Sequence, residues 1–140
     1  MIKTLIEKAL EAQKNAYSPY SDFCVGAALL SKDGQIFTGC NIESVSFTPT
    51  ICAERTAISK AVSENVRSFT MIAIVGKKRN APQEEINYVA PCGVCRQMLV
   101  EFCQKDFKVI LAKTADDYKV YTLEELLPYS FSPLELLDNK

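Results

Sequence analysis

The stretch CAERTAISKAVSENVRSFTMIAIV, residues 52–75, decides the fold. Its first part predicts an amphipathic helix over 52–64, because apolar residues recur at helical spacing at Ala53, Ala57, Ile58, Ala61 and Val62. The strongly apolar run at 69–75 predicts a buried strand. A helix leading into a buried strand is typical of α/β proteins, in which helices cover a central sheet.

The flanking segments extend this pattern. Helices are predicted over 2–16, from Pro91 to about Cys103, and over 123–127 with Thr122 as cap. Strands are predicted over 23–30, 35–41, 107–112 and 120–122, and the polar segment 77–90 is predicted to be a loop. We expect one domain, residues 1–140, with a three-layer α/β/α sandwich. We expect its sheet to be mostly buried and to have about five strands. The sheet should be mixed, because the first two strands flank a Lys32-Asp-Gly34 turn and so form an antiparallel hairpin.

Composition excludes several classes of function. The formal net charge is −1 and the basic residues are interspersed with acidic ones, so no stripe exists to follow a nucleic-acid backbone. The N-terminus is interrupted by charges, unlike a signal peptide, and no apolar run approaches the roughly 20 residues of a membrane span. We therefore expect a cytoplasmic protein that acts on a small molecule, without nucleic-acid or membrane partners.

The chain has six cysteines and no histidine. In a reducing compartment, such a count indicates metal ligation or buried thiols rather than disulfides. The absence of histidine excludes a serine–histidine or cysteine–histidine nucleophile pair. Any metal site must use thiolates or carboxylates.

Two motifs contain candidate ligands, each at the start of a predicted helix: Cys52-Ala-Glu54 and Pro91-Cys92-Gly-Val-Cys95. Cysteines three residues apart lie about 60° apart around a helix and can bind one ion. A catalytic zinc takes three protein ligands and leaves a fourth position open, and Cys52, Cys92 and Cys95 would supply the three. The helix N-termini favour the thiolate forms that bind metal.

Three thiolates around Zn²⁺ leave a charge of −1, which opposes the acidification of a bound water. Arg55 follows Cys52 by three residues, and we expect its guanidinium to donate hydrogen bonds to the ligand sulfurs. Glu54 is the predicted proton carrier beside the metal. Because residues two apart on a helix point about 200° apart, Glu54 reaches the site only if Cys52 lies at the very end of its helix.

Two other interpretations of the cysteines stay open on the residues alone. A structural-zinc interaction module would need a fourth protein ligand, for which Cys24, Cys40 and Cys103 are the candidates. We expect these three to be buried inert thiols instead. A thiol–disulfide enzyme would use Cys92 and Cys95, but leaves Cys52-Ala-Glu54 unexplained.

The sequence resembles the cytidine deaminase family of the small homotetrameric, zinc-dependent type. Zinc held by three cysteines, beside a glutamate that is not a ligand, is a general pattern of zinc deaminases. The resemblance covers nearly the whole chain. It rests on five landmarks in order: Ser18-Pro-Tyr-Ser-Asp-Phe-Cys-Val-Gly-Ala-Ala28, Gly39-Cys-Asn-Ile-Glu43, Cys52-Ala-Glu-Arg-Thr-Ala57, Pro91-Cys-Gly-Val-Cys-Arg-Gln97 and Glu125-Leu-Leu-Pro128.

The resemblance implies hydrolytic deamination of cytidine, and of deoxycytidine, in pyrimidine salvage, with one zinc ion per subunit. It implies that Phe23 packs on the cytosine ring and that Asn41 and Glu43 bind the ribose hydroxyls. Backbone at Cys52 and Ala53 would read the base edge together with Glu54. Phe131 would enter the site of a neighbouring subunit, so that each active site is completed within a homotetramer. On the residues alone, the favoured interpretation is instead that Phe23 and Phe131 are core residues and that Asn41 and Glu43 belong to a hairpin surface.

The chain departs from the family pattern after Glu43. Ser44 replaces an asparagine, and Phe47 stands where a tyrosine is usual, so a hydroxyl contact to the far end of the sugar is lost. These changes leave an alternative open within enzymes: deamination of a modified cytosine nucleoside such as an aminoacylnucleoside antibiotic. Phe23, Asn41 and Glu43 argue against it.

Overall fold

The computed structural model describes residues 1–137. Its helices are α1 (Ile2–Gln13), α2 (Ala53–Ser63), α3 (Gly93–Phe102) and α4 (Leu123–Leu126), and its strands are β1 (Phe23–Ser31), β2 (Ile36–Cys40), β3 (Phe69–Lys78), β4 (Lys108–Thr114) and β5 (Asp117–Thr122). Two short 3₁₀ turns lie at Gln83–Glu85 and Pro133–Glu135. The predicted order of elements is confirmed.

The five strands form one mixed sheet in the order β2-β1-β3-β4-β5. β1 pairs antiparallel with β2 and β3, β3 runs parallel to β4, and β4 pairs antiparallel with β5. The β1–β2 hairpin accounts for the mixed character, as predicted, and the parallel β3–β4 pair is connected through α3.

Both faces of the sheet are covered, which confirms the α/β/α sandwich. On one face, α1 buries Leu5, Ile6 and Ala9 against alternate residues of β1, β3 and β4. On the other, α2 and α3 bury Ala57, Ile58 and Leu99 against the intervening residues of the same strands. The residues of β1, β3 and β4 are therefore apolar at successive positions, as expected of strands covered on both sides.

Several predicted boundaries were wrong, each for a local reason. α1 ends at Gln13 rather than at residue 16, because Tyr17 leaves the helix to form a bridge with Ile42. β3 continues to Lys78, into the predicted loop, because its last residues pair with the start of β1 at Phe23. β5 begins at Asp117 rather than at residue 120, because β4 and β5 form a tight hairpin.

The predicted start of α3 at Pro91 was also wrong. The helix begins at Gly93, and Cys92 is its N-cap with an extended backbone, which places Pro91 outside the helix. The cap at Thr122 is confirmed and forms a capping box with Glu125. None of the helices in residues 1–137 is long and apolar enough to cross a bilayer.

Candidate active site and metal centre

Two helix N-termini meet at one point of the molecule. Cys52 is the N-cap of α2, with φ −75° and ψ 155°, and Cys92 is the N-cap of α3, with φ −67° and ψ 168°. Cys95 follows in the first turn of α3 and is fully buried. Neither cysteine cap accepts a hydrogen bond from its own helix, so the positive ends of both helix dipoles face the sulfur atoms.

The three sulfur atoms have the spacing that a tetrahedral metal site requires. The Cys52 and Cys92 sulfurs are 3.8 Å apart, and those of Cys92 and Cys95 are 3.5 Å apart. All three lie within 4.8 Å of one another. Tetrahedral bonds of about 2.3 Å from zinc to sulfur place neighbouring sulfurs about 3.8 Å apart, so this donor set fits zinc.

Within the described part of the chain, the cluster of possible metal ligands consists of these three cysteines and has no fourth member. A structural zinc site would normally close its coordination with a fourth protein ligand. The three-ligand arrangement instead matches catalytic zinc sites, and it does not favour the interpretation as a structural-zinc module.

Proton sharing makes the thiols unequal. A hydrogen bond from the Cys95 thiol, helped by one from Arg55, lowers the pKa of Cys52. The pKa of Cys95 is raised, because its proton is held by Cys52 and because the side chain is buried. Negative charge therefore resides first on Cys52. Arg55 lies beside it, with Nη2 3.8 Å from the Cys52 sulfur and 3.4 Å from the carbonyl oxygen of Thr50.

Glu54 is the second residue of α2 and is 4% exposed. Burial raises the pKa of its carboxyl group to about 7, and the nearby charge on Cys52 adds to the effect. A carboxyl group with a pKa near neutrality can both take up and release a proton at physiological pH. The geometric condition on Glu54 is met, because Cys52 is the cap and not a regular helical residue.

A bridge between two loops brings the residues after β2 to the start of α2. Ile42 and Ile51 exchange backbone hydrogen bonds of 3.0 and 2.9 Å. Asn41, immediately before the bridge, is 9% exposed. Its side-chain oxygen accepts from the Val25 amide at 2.9 Å, and its nitrogen donates to the Phe23 carbonyl at 2.8 Å. Asn41 thus holds the start of β1, and one amide hydrogen and one oxygen lone pair stay free for a ligand.

Glu43 is held by a loop containing Tyr20 and Ser21, which were not among the predicted site residues. Its Oε1 accepts from the backbone amides of Tyr20 and Ser21 at 3.0 and 3.1 Å, and its Oε2 accepts from the Ser21 hydroxyl. Desolvation is the largest single effect and would raise the pKa of Glu43, but the hydrogen bonds from Ser21 and Tyr20 together outweigh it, so the pKa is lowered. Ser18-Pro19-Tyr20-Ser21 signals a turn in the sequence, but the signal does not indicate which residue the turn contacts.

Phe23, at the start of β1, is partly buried and lines a cavity of 510 Å³. Its other walls come from the end of β3 and from the loop before α3, including Gly76, Lys77, Asn87 and Val89. None of the three cysteines lines this cavity. The link from Phe23 to the cluster is indirect: Asn41 donates to the Phe23 carbonyl and precedes Ile42, whose bridge partner Ile51 immediately precedes Cys52.

Phe131 lies in the segment after α4 and is 61% exposed. Its carbonyl oxygen accepts a hydrogen bond of 2.8 Å from Gln97 of α3. The structure therefore places Phe131 on the surface beside α3 and not in the core. Gln97 and its neighbour Arg96 belong to the same motif as Cys92 and Cys95 but were not among the predicted site residues.

The other three cysteines lie outside the cluster. Cys24 is buried, as predicted, 3.3 Å from the Ser18 hydroxyl. Cys40 and Cys103 are only partly buried, so the prediction of full burial was wrong for them: each lies at the end of an element, where packing is incomplete. Burial still raises the pKa of Cys40, and that of Cys103 to about 12.

Phe47 occupies the exposed tip of the loop that follows Glu43. Its φ is 64° and its side chain is 70% exposed. The ring makes an edge-on contact with Tyr20, with ring centroids 6.2 Å apart. Ser44 shapes the same loop by donating its amide to the Thr50 hydroxyl at 3.0 Å. Both departures from the family pattern thus lie next to the loop that holds Glu43.

Comparison with known proteins agrees with this geometry. A family model described as the cytidine and deoxycytidylate deaminase zinc-binding region matches residues 1–111. A cytidine deaminase from Sporosarcina psychrophila is 44% identical over 135 residues, covering 96% of this chain and 94% of the relative. The crystal structure of cytidine deaminase from Burkholderia pseudomallei superposes with a TM-score of 0.81 at 41% identity, covering 91% of this chain and 97% of that one. A blasticidin-S deaminase from Bacillus cereus is 33% identical over 114 residues, covering 77% and 76% of the two chains.

Proposed function

The chain belongs to the cytidine and deoxycytidylate deaminase family, and on that premise we propose that it hydrolyses cytidine, and deoxycytidine, to uridine or deoxyuridine and ammonia. The observation that carries the proposal is the juxtaposition of three cysteine sulfurs with a buried carboxyl group whose pKa lies near neutrality. In the balanced reaction, water replaces the amino group on C4 of the ring: the C–N bond breaks, a C–O bond forms, and ammonia leaves.

The metal that fits is one zinc ion per subunit, held by Cys52, Cys92 and Cys95. When bound, zinc would supply the acidification of a water molecule that makes it nucleophilic at neutral pH. Arg55 would offset the excess negative charge of the three thiolates through its contact with Cys52.

Glu54 is the proposed catalytic acid and base. Its carboxylate would accept one proton of the attacking water and pass it to the ring nitrogen N3. It would then accept the remaining proton from the new hydroxyl group on C4 and deliver it to the departing amino group, which leaves as ammonia. Burial supports this role, since it disfavours the charged carboxylate and so brings its pKa close to the operating pH. A glutamine at this position would keep the shape of the side chain but could neither accept nor release a proton near neutral pH.

The substrate contacts are proposed from position. The Phe23 ring would pack on the base, and backbone at Ala53, the first residue of α2, would read its edge. Glu43 would accept from a ribose hydroxyl with an orientation fixed by Tyr20 and Ser21, and Asn41 would use its remaining hydrogen-bonding capacity.

The proposal also covers the oligomeric state of the protein and its role in the cell. The catalytic unit would be the single domain 1–140, arranged as a homotetramer in which Phe131 enters a neighbouring site. The surface exposure of Phe131 supports this arrangement, because an aromatic ring that serves another subunit cannot be part of its own core. The expected setting is cytoplasmic pyrimidine salvage, without nucleic acid or membrane as partner.

A second candidate substrate is a modified cytosine nucleoside of the aminoacylnucleoside type. The similarity to a blasticidin-S deaminase and the altered loop at Ser44 and Phe47 favour testing it. Lower identity and shorter coverage than those of the cytidine deaminase relative argue against it.

The test is the ultraviolet absorbance change of cytidine, deoxycytidine and blasticidin S with the purified zinc-loaded protein, with ammonia release measured in parallel. We expect both natural nucleosides to be deaminated and the Glu54→Gln protein to be inactive while still holding one zinc. Turnover of blasticidin S alone would replace the substrate assignment. A protein that holds zinc and turns over none of the three would overturn the proposed function.

A further inference from the structure

Two residues of α3 connect the cysteine cluster to the C-terminal segment. Arg96 and Gln97 directly follow Cys95, and each donates side-chain hydrogen bonds to carbonyl groups beyond α3. Neither touches a cysteine sulfur in these bonds. These contacts therefore position the backbone around the metal ligands and connect it to the C-terminal segment.

Arg96 bridges two backbone segments that are about 35 residues apart in sequence. Its Nε donates to the carbonyl oxygen of Pro91 at 2.8 Å, which fixes the peptide group leading into Cys92. Its Nη1 donates to the carbonyl oxygen of Leu126 at 2.6 Å. Leu126 is the last residue of α4, where carbonyl groups lack helical partners and a cation is favoured. One guanidinium group thus joins the metal-ligating turn to the end of α4.

Gln97 extends the same connection along the chain. Its Nε2 donates to the carbonyl oxygen of Phe131 at 2.8 Å. Within the described residues, the remaining hydrogen bonds of 128–137 are local, formed among Ser132, Pro133 and the four residues that follow. The side chains of this segment are mostly exposed, including Tyr129, Leu134 and Leu136. Within one subunit this segment buries little surface, so the hydrogen bond from Gln97 is its main connection to α3, in addition to the contact with a neighbouring subunit proposed for Phe131.

We propose that Arg96 and Gln97 are positioning residues that couple the metal-ligating turn of α3 to the C-terminal segment 127–137, so that metal occupancy and the placement of Phe131 reinforce each other. The inference rests on the proposed function for the meaning of Phe131, but the coupling itself is a property of the fold. Coupling between two sites is reciprocal: if zinc binding orders the segment, then loosening the segment must lower the affinity for zinc.

The direction of the effect follows from the contacts. Binding zinc fixes Cys92 and Cys95, and hence the Pro91 carbonyl and the first turn of α3 from which Arg96 and Gln97 project. Removing zinc frees the turn, so the donors of both residues lose their fixed positions. The end of α4 and Phe131 then lose the partners of their carbonyl groups.

The test uses hydrogen–deuterium exchange of the full-length protein, zinc-loaded and chelated, at concentrations where light scattering gives both samples the same mass. In the wild type we expect chelation to increase exchange several-fold in the peptide spanning 123–137, and much less in α1. In Arg96→Lys, which keeps the charge but loses the two-pronged donor, exchange in 123–137 should be fast with or without zinc. Zinc should also leave about 10-fold faster, in the range seen when groups that orient metal ligands are changed.

Gln97→Glu replaces the donor to the Phe131 carbonyl with a charged acceptor, so exchange should rise in the C-terminal segment while zinc release changes less than in Arg96→Lys. Matched controls are Arg67→Lys, which also keeps its charge, and Gln104→Glu, which adds the same charge as Gln97→Glu; both side chains are exposed. The proposal is overturned if chelation leaves exchange in 123–137 unchanged in the wild type. It is equally overturned if Arg96→Lys releases zinc at the wild-type rate. Both readouts are independent of turnover, so a protein that couples zinc to this segment but does not deaminate cytidine would refute the proposed function alone.

Discussion

Arg55 Nη2 lies 3.8 Å from the sulfur of Cys52; Cys52 is the N-cap of α2, and Arg55, three positions later, lies in its first turn. The hydrogen bond to Cys52 raises the pKa of Arg55, which keeps it charged. The Nε of Arg55 is buried and has no hydrogen-bond partner among the described residues. A second donor is therefore available next to the sulfur cluster, where negative charge accumulates when metal is bound.

Replacing Arg55 should weaken zinc binding. In Arg55→Gln the positive charge beside three thiolates is removed, and we expect the zinc affinity to fall about 10- to 100-fold. The measurement is competition with a chromophoric chelator at neutral pH. Arg67→Gln removes an equal charge from an exposed site and should leave the affinity unchanged. Wild-type affinity in Arg55→Gln would show that the guanidinium does not offset the thiolate charge.

The sequence alone predicted most of the fold because its strands are unusually clear. The central strands are covered on both faces, so they appear as continuous apolar runs such as 69–75, and the β1–β2 hairpin has a turn signal at Gly34. The missed boundaries depend on pairing partners far away in sequence. Nothing within 76–78 indicates that these residues continue β3; only their pairing with the start of β1 does.

The candidate site likewise contains residues that the sequence could predict and contacts that it could not. The cysteines and Glu54 could be singled out because metal chemistry restricts ligand types and spacing. The sequence could not show that the amides of Tyr20 and Ser21 would hold Glu43, or that Arg96 would reach Leu126, because one partner in each of these bonds is a backbone group. A backbone partner places no demand on the residue type at its position, and therefore leaves no pattern there.

Glu54 should destabilise the metal-depleted protein at high pH. Its folded-state pKa of about 7 exceeds the ordinary 4.5, so the folded protein binds this proton more tightly than the unfolded chain does. The contribution of Glu54 to the free energy of unfolding is therefore most favourable below pH 4.5. It falls as the pH rises from 4.5 to 7 and is constant above pH 7. The shift corresponds to a cost of about 3 kcal/mol or less at pH 8.

Glu54→Gln removes that cost, because glutamine has no charge to bury. In chelated protein, urea unfolding should show Glu54→Gln to be more stable than the wild type at pH 8, by an amount that shrinks toward pH 5. Glu64→Gln, on an exposed side chain just past α2, should show no such pH-dependent gain. An equal difference between wild type and Glu54→Gln at both pH values would contradict a raised pKa.

Metal removal should expose a defined subset of thiols. In the zinc-loaded protein, the three ligands should resist iodoacetamide at neutral pH. After chelation, Cys92 is exposed and the pKa of Cys52 is lowered, so both should react rapidly. Cys103 should stay at least 10-fold slower, since burial raises its pKa to about 12 and leaves almost no thiolate. Mass spectrometry of the labelled peptides distinguishes these sites, and rapid labelling of Cys103 before Cys92 would refute the assignment.

Two glycines provide a matched test of how the sheet positions the metal ligands. A Cβ on Gly39 of β2 would lie 2.5 Å from the Ala53 carbonyl oxygen and 2.6 Å from the Ala57 amide nitrogen, both in the backbone of α2. A Cβ on Gly26 of β1 would lie 2.0 Å from the carbonyl oxygen of Ala9 in α1. Each alanine substitution must push a helix away from the sheet, at a cost of about 1–3 kcal/mol or more in the free energy of unfolding.

The two substitutions should differ at the metal. Gly39→Ala displaces the start of α2 by about 1 Å, the gap between 2.5 Å and the 3.4 Å of ordinary contact, and so moves Cys52 and Glu54 relative to α3. We expect Gly39→Ala to lower both zinc affinity and thermal stability, whereas Gly26→Ala should lower only stability, because α1 carries no cysteine. Chelator competition and thermal unfolding separate the two effects. Equal loss of zinc affinity in both variants would mean that the site responds to general loosening of the fold, and not to the contact between β2 and the first turn of α2.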